Sequence, residues 1–215
     1  MIRHGATLAF VFSDCEGSSQ GAIKASSATH RAHRVNDGFL RTIPNTRPSK
    51  TGARPLAYFI TFTAYGTWLH GDMRTWVDRE HNEFGTERLA HDPLVNHVQK
   101  QSLKHPKVKL TPAMIKQVLA AVAEVCRYRE WKLVSANVRT NHVHVLAMAN
   151  AEAEKLLGDF KRYATRRLRR EKLMPADRPV WTDGGSTIYV WDQPSLDRID
   201  RYIRYDQGEN LGGRY

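Results

Sequence analysis

KLVSANVRTNHVHVLAMA, residues 132–149, is the stretch that decides how this chain folds. It holds two extended segments, Lys132 to Arg139 and His142 to Ala149, separated only by Thr140-Asn141. A gap that short suits a tight hairpin, although no glycine marks the turn. Upstream, Leu56 to Thr63 (LAYFITFT) is rich in aromatic and β-branched residues and reads as an earlier strand. Thr111-Pro112 then opens a helix, threonine as the cap and proline at the first helical position. Ile115, Val118, Leu119, Val122 and Cys126 fall on one face of it. Downstream of the hairpin a second helix runs from Ala151 to about Lys172, with Leu156, Leu157, Phe160, Ala164 and Leu168 as its apolar stripe. Thr187 to Trp191 reads as a short strand, and Leu196 to Tyr205 as a last helix after Pro194. The order strand, helix, strand, strand, helix, strand predicts an α+β, ferredoxin-like antiparallel sheet with packed helices.

The rest is less patterned. Gly66 and Gly71-Asp72 bracket a loop, YGTWLHGD at 65–72. Residues 74–110 read as a long, polar, irregular excursion, with His81, His91, His97 and His105 at spacings that fit no compact metal motif. Residues 1–54 carry eight Lys/Arg, three Asp/Glu, five glycines and paired serines. They read as a flexible basic tail, or as an extension from a misassigned translation start. Residues 55–215 form the folded domain.

The chain has 215 residues and a formal net charge of +11. With 41% hydrophobic residues it can bury a core, which excludes a wholly disordered chain. The charge points to a polyanion, most simply nucleic acid, or else serves solubility alone. Apolar runs reach about seven residues, far from the roughly 20 that span a bilayer, so no membrane partner is expected. The run ATLAFVF at 6–12 is at the lower length limit for a secretory leader and lacks a cleavage site, which disfavours a secreted hydrolase. Two cysteines build neither a disulfide framework nor a four-cysteine zinc site. A cytoplasmic, nucleoid-associated protein is the expectation.

His142-Val143-His144 lies on a strand, so both imidazoles share one face with Cα atoms roughly 6.5–7 Å apart. Such a pair can converge on one ion, although an isolated His-X-His is more often two residues on a half-exposed strand. On the following helix Tyr163 lies about 60° round from Phe160, at the edge of the apolar stripe. A tyrosine there is commonly a packing residue; beside a histidine-held metal, its phenol could attack a phosphodiester.

These residues resemble a known family. His-hydrophobe-His followed by FKRYATRRL at 160–168 is similar to the single-tyrosine transposases of the HUH endonuclease superfamily, in particular the insertion-sequence and repeat-associated group. FITF at 59–62 leading into YGTWL at 65–69 resembles that group's first strand and loop. WTDGGST at 181–187 followed by Tyr189 resembles its carboxy-terminal signature. The resemblance spans about 55–208. It implies a metal-dependent endonuclease and strand transferase acting on single-stranded or hairpin DNA. His142 and His144 would hold Mg²⁺ or Mn²⁺, and Tyr163 would form a 5′-phosphotyrosine. One departure stands out. Relatives carry a third metal ligand one turn after the tyrosine, and here that position is Arg167, which cannot ligate. Water, or Asp159 one turn before Tyr163, would have to substitute.

Lys161, Arg162, Arg166, Arg167, Arg169 and Arg170 form a charge run that is ordinarily a solvated helix face. Beside a phosphodiester site they would neutralise a DNA backbone. Trp68, Trp181 and Trp191 are candidates for base stacking, and individually for packing. Two other readings remain: a non-catalytic DNA-binding descendant of such a transposase, favoured by Arg167, and an RNA-binding ferredoxin-like domain. The latter lacks its usual basic-Gly-aromatic pattern. Both monomers and homodimers that exchange the tyrosine helix are compatible with the resemblance.

Overall fold

The computed structural model describes residues 53–72 and 90–215. The expected basic tail, apart from its last two residues, and His81 lie outside the described residues. Four strands, β1 (Ala57–Thr63), β2 (Lys132–Val138), β3 (His142–Met148) and β4 (Ser186–Val190), form one sheet in the order β2-β3-β1-β4. All three neighbouring pairs are antiparallel. With the helices between β1 and β2 and between β3 and β4, this is the expected α+β arrangement of the split βαβ type.

Strand parity divides the sheet into two unlike faces. Tyr58, Ile60 and Phe62 of β1 with Val143, Val145 and Ala147 of β3 make an entirely apolar face. Helices α2 (Pro112–Tyr128) and α3 (Ala153–Arg170) cover it through Ile115, Val118, Val122, Leu156, Phe160 and Leu168. Cys126 belongs to this core, and burial pushes its thiol up to about 12, which makes it an inert packing residue. On the opposite face Phe59, Leu146, Ile188 and Val190 meet Leu196, Ile199, Tyr202 and Ile203 of the last helix, α4 (Gln193–Tyr205). One helix covers less area than two, so part of this second face is left to polar side chains.

The helix starts follow the chain's own punctuation. Thr111 Oγ1 accepts from the backbone N–H of Met114 at 3.3 Å ahead of Pro112. Asp192 does the same for Ser195 N–H at 2.8 Å ahead of Pro194. Such caps are worth about 0.5–2 kcal/mol each. Helix α3 ends at Arg170, two residues before the expected Lys172, which adopts a left-handed φ of 56°.

Over its described residues, 90–110, the excursion is more ordered than expected. Residues Pro93–Gln101 form helix α1, capped by the Asp92 carboxylate, which accepts from Leu94 and Val95 N–H. Asp92-Pro93 is the same start signal as Thr111-Pro112, but with too few apolar residues behind it to register as periodic. Helix α1 fastens the 65–72 loop: Asn96 Nδ2 donates to His70 O at 3.2 Å, and His91 Nδ1 donates to Gly71 O at 2.7 Å. Gly71 has φ +75°, and a Cβ there would lie 2.3 Å from Asp92 O. Gly71→Ala is therefore expected to cost about 1–3 kcal/mol and to loosen the loop from α1. Thermal melting and tryptophan emission check this, and unchanged values for both would show the loop is not anchored there.

Candidate active site

The histidines lie on the polar part of the second face. In register, His144 opposes Thr61 of β1 on one side and Asn137 of β2 on the other, and His142 opposes Thr63. The two imidazole centroids are 4.7 Å apart. Each ring is held through Nδ1. His142 Nδ1 lies 2.8 Å from Asn141 Oδ1, and His144 Nδ1 lies 2.8 Å from Thr61 Oγ1. A carbonyl oxygen only accepts, so His142 Nδ1 carries the proton and its lone pair is on Nε2. With His144 Nδ1 donating to Thr61, its lone pair is likewise on Nε2, a buried atom. A hydroxyl or carbonyl oxygen behind Nδ1, which leaves the Nε2 lone pair facing away, is how metal-ligating histidines are oriented.

His144 is 1% exposed, and its basicity is held well below the usual imidazole range. Burial is the main cause, the neighbouring His142 and more weakly Arg139 add to it, and the Gln207 side chain opposes it by hydrogen bonding. A buried neutral imidazole is the form that binds a metal ion.

Around the pair stand residues that the sequence reading did not bring together. Tyr202, on the buried stripe of α4, has its ring 5.7 Å from that of His144 and 6.3 Å from Phe59. Gln207, just past the end of α4, is 7% exposed. Asn137 Nδ2 donates to Ile203 O at 2.8 Å, and Arg204 Nη2 to Val134 O at 2.8 Å, so the end of α4 is fastened to β2. Trp68 stacks on His142 at 6.1 Å with 14° between planes, from a backbone with φ 55°. A bulky residue in that region stores strain of about 1–3 kcal/mol, which is found where a side chain must be aimed.

The other expected site residues are elsewhere. Tyr163 and Asp159 are on α3, which packs on the apolar face, across the sheet from His142 and His144. Asp159 is surrounded by cations: Arg129 Nε at 3.1 Å, Lys155 Nζ at 3.2 Å, and Arg162. The expected convergence of Tyr163 and Asp159 on the histidines is thus not met, because the helix carrying them covers the other face. Arg167 donates to Gln117 Oε1 at 2.7 Å and to Glu124 Oε2 at 2.8 Å, clamping α3 to α2 rather than approaching the pair. Lys161 Nζ donates to the carbonyls of Thr182 and Gly184, and burial lowers its pKa against the pull of Asp183. Arg162, Arg166, Arg169 and Arg170 are exposed, as expected, but on this same α3 side. Trp181 is a packing residue: it meets Phe62 edge-on at 4.9 Å, and its indole N–H reaches Lys161 O and Thr165 Oγ1.

A family model described as "Transposase IS200 like" matches residues 102–206, from just after α1 to the end of α4. Over residues 102–206, just under half of its length, the chain is similar to that family. That span holds His142, His144 and Tyr202, and stops one residue short of Gln207. In general terms the family's work is DNA transposition, cutting and rejoining strands, commonly with a divalent metal. Two solved structures are similar to this chain. One is a REP-associated tyrosine transposase bound to a REP hairpin, at 10% identity over 74% of this chain and 70% of that one, TM-score 0.42. The other is a candidate transposase from Deinococcus radiodurans R1, at 13% identity over 74% and 95%, TM-score 0.36. No curated protein matches the sequence. None of its described helices is long and apolar enough to cross a membrane.

Proposed function

We propose that the chain is a metal-dependent single-strand DNA endonuclease and strand transferase, with His142, His144 and Gln207 as the metal-holding residues and Tyr202 as the nucleophile. The observation that carries this reading is the contact between Tyr202 and a histidine pair whose Nδ1 atoms are both tied back. The donor set fits a divalent ion: two imidazole Nε2 atoms and, from Gln207, an amide oxygen, with water to complete the sphere. Bound there, the ion would polarise a non-bridging oxygen of the scissile phosphate.

The chain's own groups do the rest. The Tyr202 phenol gives up its proton to water as its oxygen attacks phosphorus, the bond from phosphorus to the 3′-oxygen breaks, and that oxygen takes a proton from water to leave as a hydroxyl. The 5′ end stays on Tyr202 as a phosphodiester, so another 3′-hydroxyl can reverse the reaction and join a new strand. Tyr202 is only 2% exposed, so the end of α4 must lift from β2 to admit a phosphate. Trp68, stacked on His142, supports the orientation of that ring.

A second reading has an observation in its favour. Among the described residues no group of three or more His, Cys, Asp or Glu could hold a metal ion. A degraded, purely DNA-binding protein would have that property too. End-labelled single-stranded oligonucleotides from hairpins flanking the gene, incubated with Mn²⁺ or Mg²⁺ and resolved under denaturing conditions, separate the two. The enzyme forms a covalent adduct that a chelator prevents. Tight binding with no adduct from either ion would leave the DNA-binding reading.

A further inference from the structure

The side of the molecule away from the histidines carries a second concentration of unused chemistry. Tyr128, at the end of α2, is 69% exposed, and its ring lies 6.2 Å from that of Tyr163 on α3. Both rings are flanked by guanidinium groups, Arg129 at 5.3 Å from the Tyr128 centroid and Arg166 at 4.6 Å from that of Tyr163. Arg129 also belongs to the trio around Asp159, whose side chain is 1% exposed. Three cations on one buried carboxylate leave a surplus of two positive charges. A shallow groove on α3, lined by Gly158, Arg162, Thr165, Arg166 and Arg169, continues the positive track.

Each part alone has an ordinary structural reason. Asp159 orders the helix pair, and arginines cover tyrosine rings on many surfaces. The combination asks for a ligand with exposed flat faces and a run of negative charge. Unpaired nucleotides have both; duplex DNA offers only the charge, because its bases are stacked inside. We propose that the Tyr128–Tyr163 surface is a second binding site for single-stranded DNA, with bases on the tyrosines and phosphates against Arg129, Lys155, Arg162 and Arg166. The choice of DNA as ligand rests on the proposed function, while the stacking site does not. Since it faces away from the histidines, it grips DNA flanking the cleaved bond and adds affinity for longer strands.

The test uses the full chain with chelator present, so that only binding is read. The probe is a labelled oligothymidylate, with a matching strand that carries 2-aminopurine to report stacking. Tyr128→Ala is expected to weaken binding on the order of tenfold and to abolish the 2-aminopurine quench, while Tyr128→Phe keeps both. Arg166→Ala is expected to weaken binding and reduce its salt dependence. Equal affinity and quench in Tyr128→Ala would overturn the proposal, as would competition by duplex DNA as strong as by single strands. A tenfold preference for oligouridylate would overturn the assignment to DNA. Failure of the proposed function looks different: no adduct forms from any variant, while Tyr128→Ala still loses the quench.

Discussion

Tyr202→Phe is expected to abolish the covalent DNA adduct, a loss of more than about 1000-fold, while leaving the fold and DNA affinity near those of the unaltered chain. The change removes one oxygen. The ring that packs on Phe59 and His144 stays, so the α4 contact with the sheet is preserved. Tyr163→Phe provides the contrast, since it too loses only a hydroxyl and is expected to form the adduct. The difference between them follows from the sheet. Tyr163 is on a helix of the apolar face, and no side-chain rotation carries its oxygen through a packed sheet to the histidines. A phenol near pKa 10 is a poor nucleophile at neutral pH, so it must react where the phosphate is polarised. Among the two tyrosines, only Tyr202 contacts the His144 ring. Adduct lost in Tyr163→Phe and retained in Tyr202→Phe would return the nucleophile to α3.

Why the sequence pointed to Tyr163 is itself informative. The hairpin, both long helices and the pairing of His142 with His144 were legible, because each rests on local periodicity or spacing. The face on which the histidines lie is a different kind of fact. It depends on which helices cover which side, and that is settled by chain topology. Yet a signal was present. The odd residues of β3, Val143, Val145 and Ala147, are wholly apolar, while the even ones begin with two histidines. Two amphipathic helices demand the fully apolar face, which leaves the histidines to α4. On α4, Leu196, Ile199, Tyr202 and Ile203 follow the helical period, so a tyrosine on the buried stripe could have been read as well. Helix α1 escaped for the opposite reason: its capping signal was clear, but Pro93–Gln101 has little apolar periodicity, and tertiary contacts to the 65–72 loop fix it.

Thr61→Val is expected to weaken Mn²⁺ binding by about 10–100-fold without changing either histidine. The two side chains are nearly the same size, so the substitution deletes the hydroxyl at His144 Nδ1 and little else. Without that partner the ring no longer prefers the tautomer with its lone pair on Nε2, and the Nδ1–H is left without an acceptor in a buried place. His144→Ala is expected to remove binding altogether, and Gln207→Ala to weaken it, since an amide oxygen is the third protein donor in the proposed set. Calorimetric titration or the loss of the free Mn²⁺ resonance on adding protein reads all three with no dependence on cleavage. If Thr61→Val binds Mn²⁺ as the unaltered chain does, the hydroxyl does not orient a ligand and His144 is only a buried packing residue. If the unaltered chain itself takes up no Mn²⁺ or Mg²⁺, the histidine pair lacks a sufficient third donor, and the degraded, DNA-binding reading replaces the enzyme. Binding in the unaltered chain, weakened by Thr61→Val and Gln207→Ala and lost in His144→Ala, would tie the metal to the sheet face that also carries Tyr202.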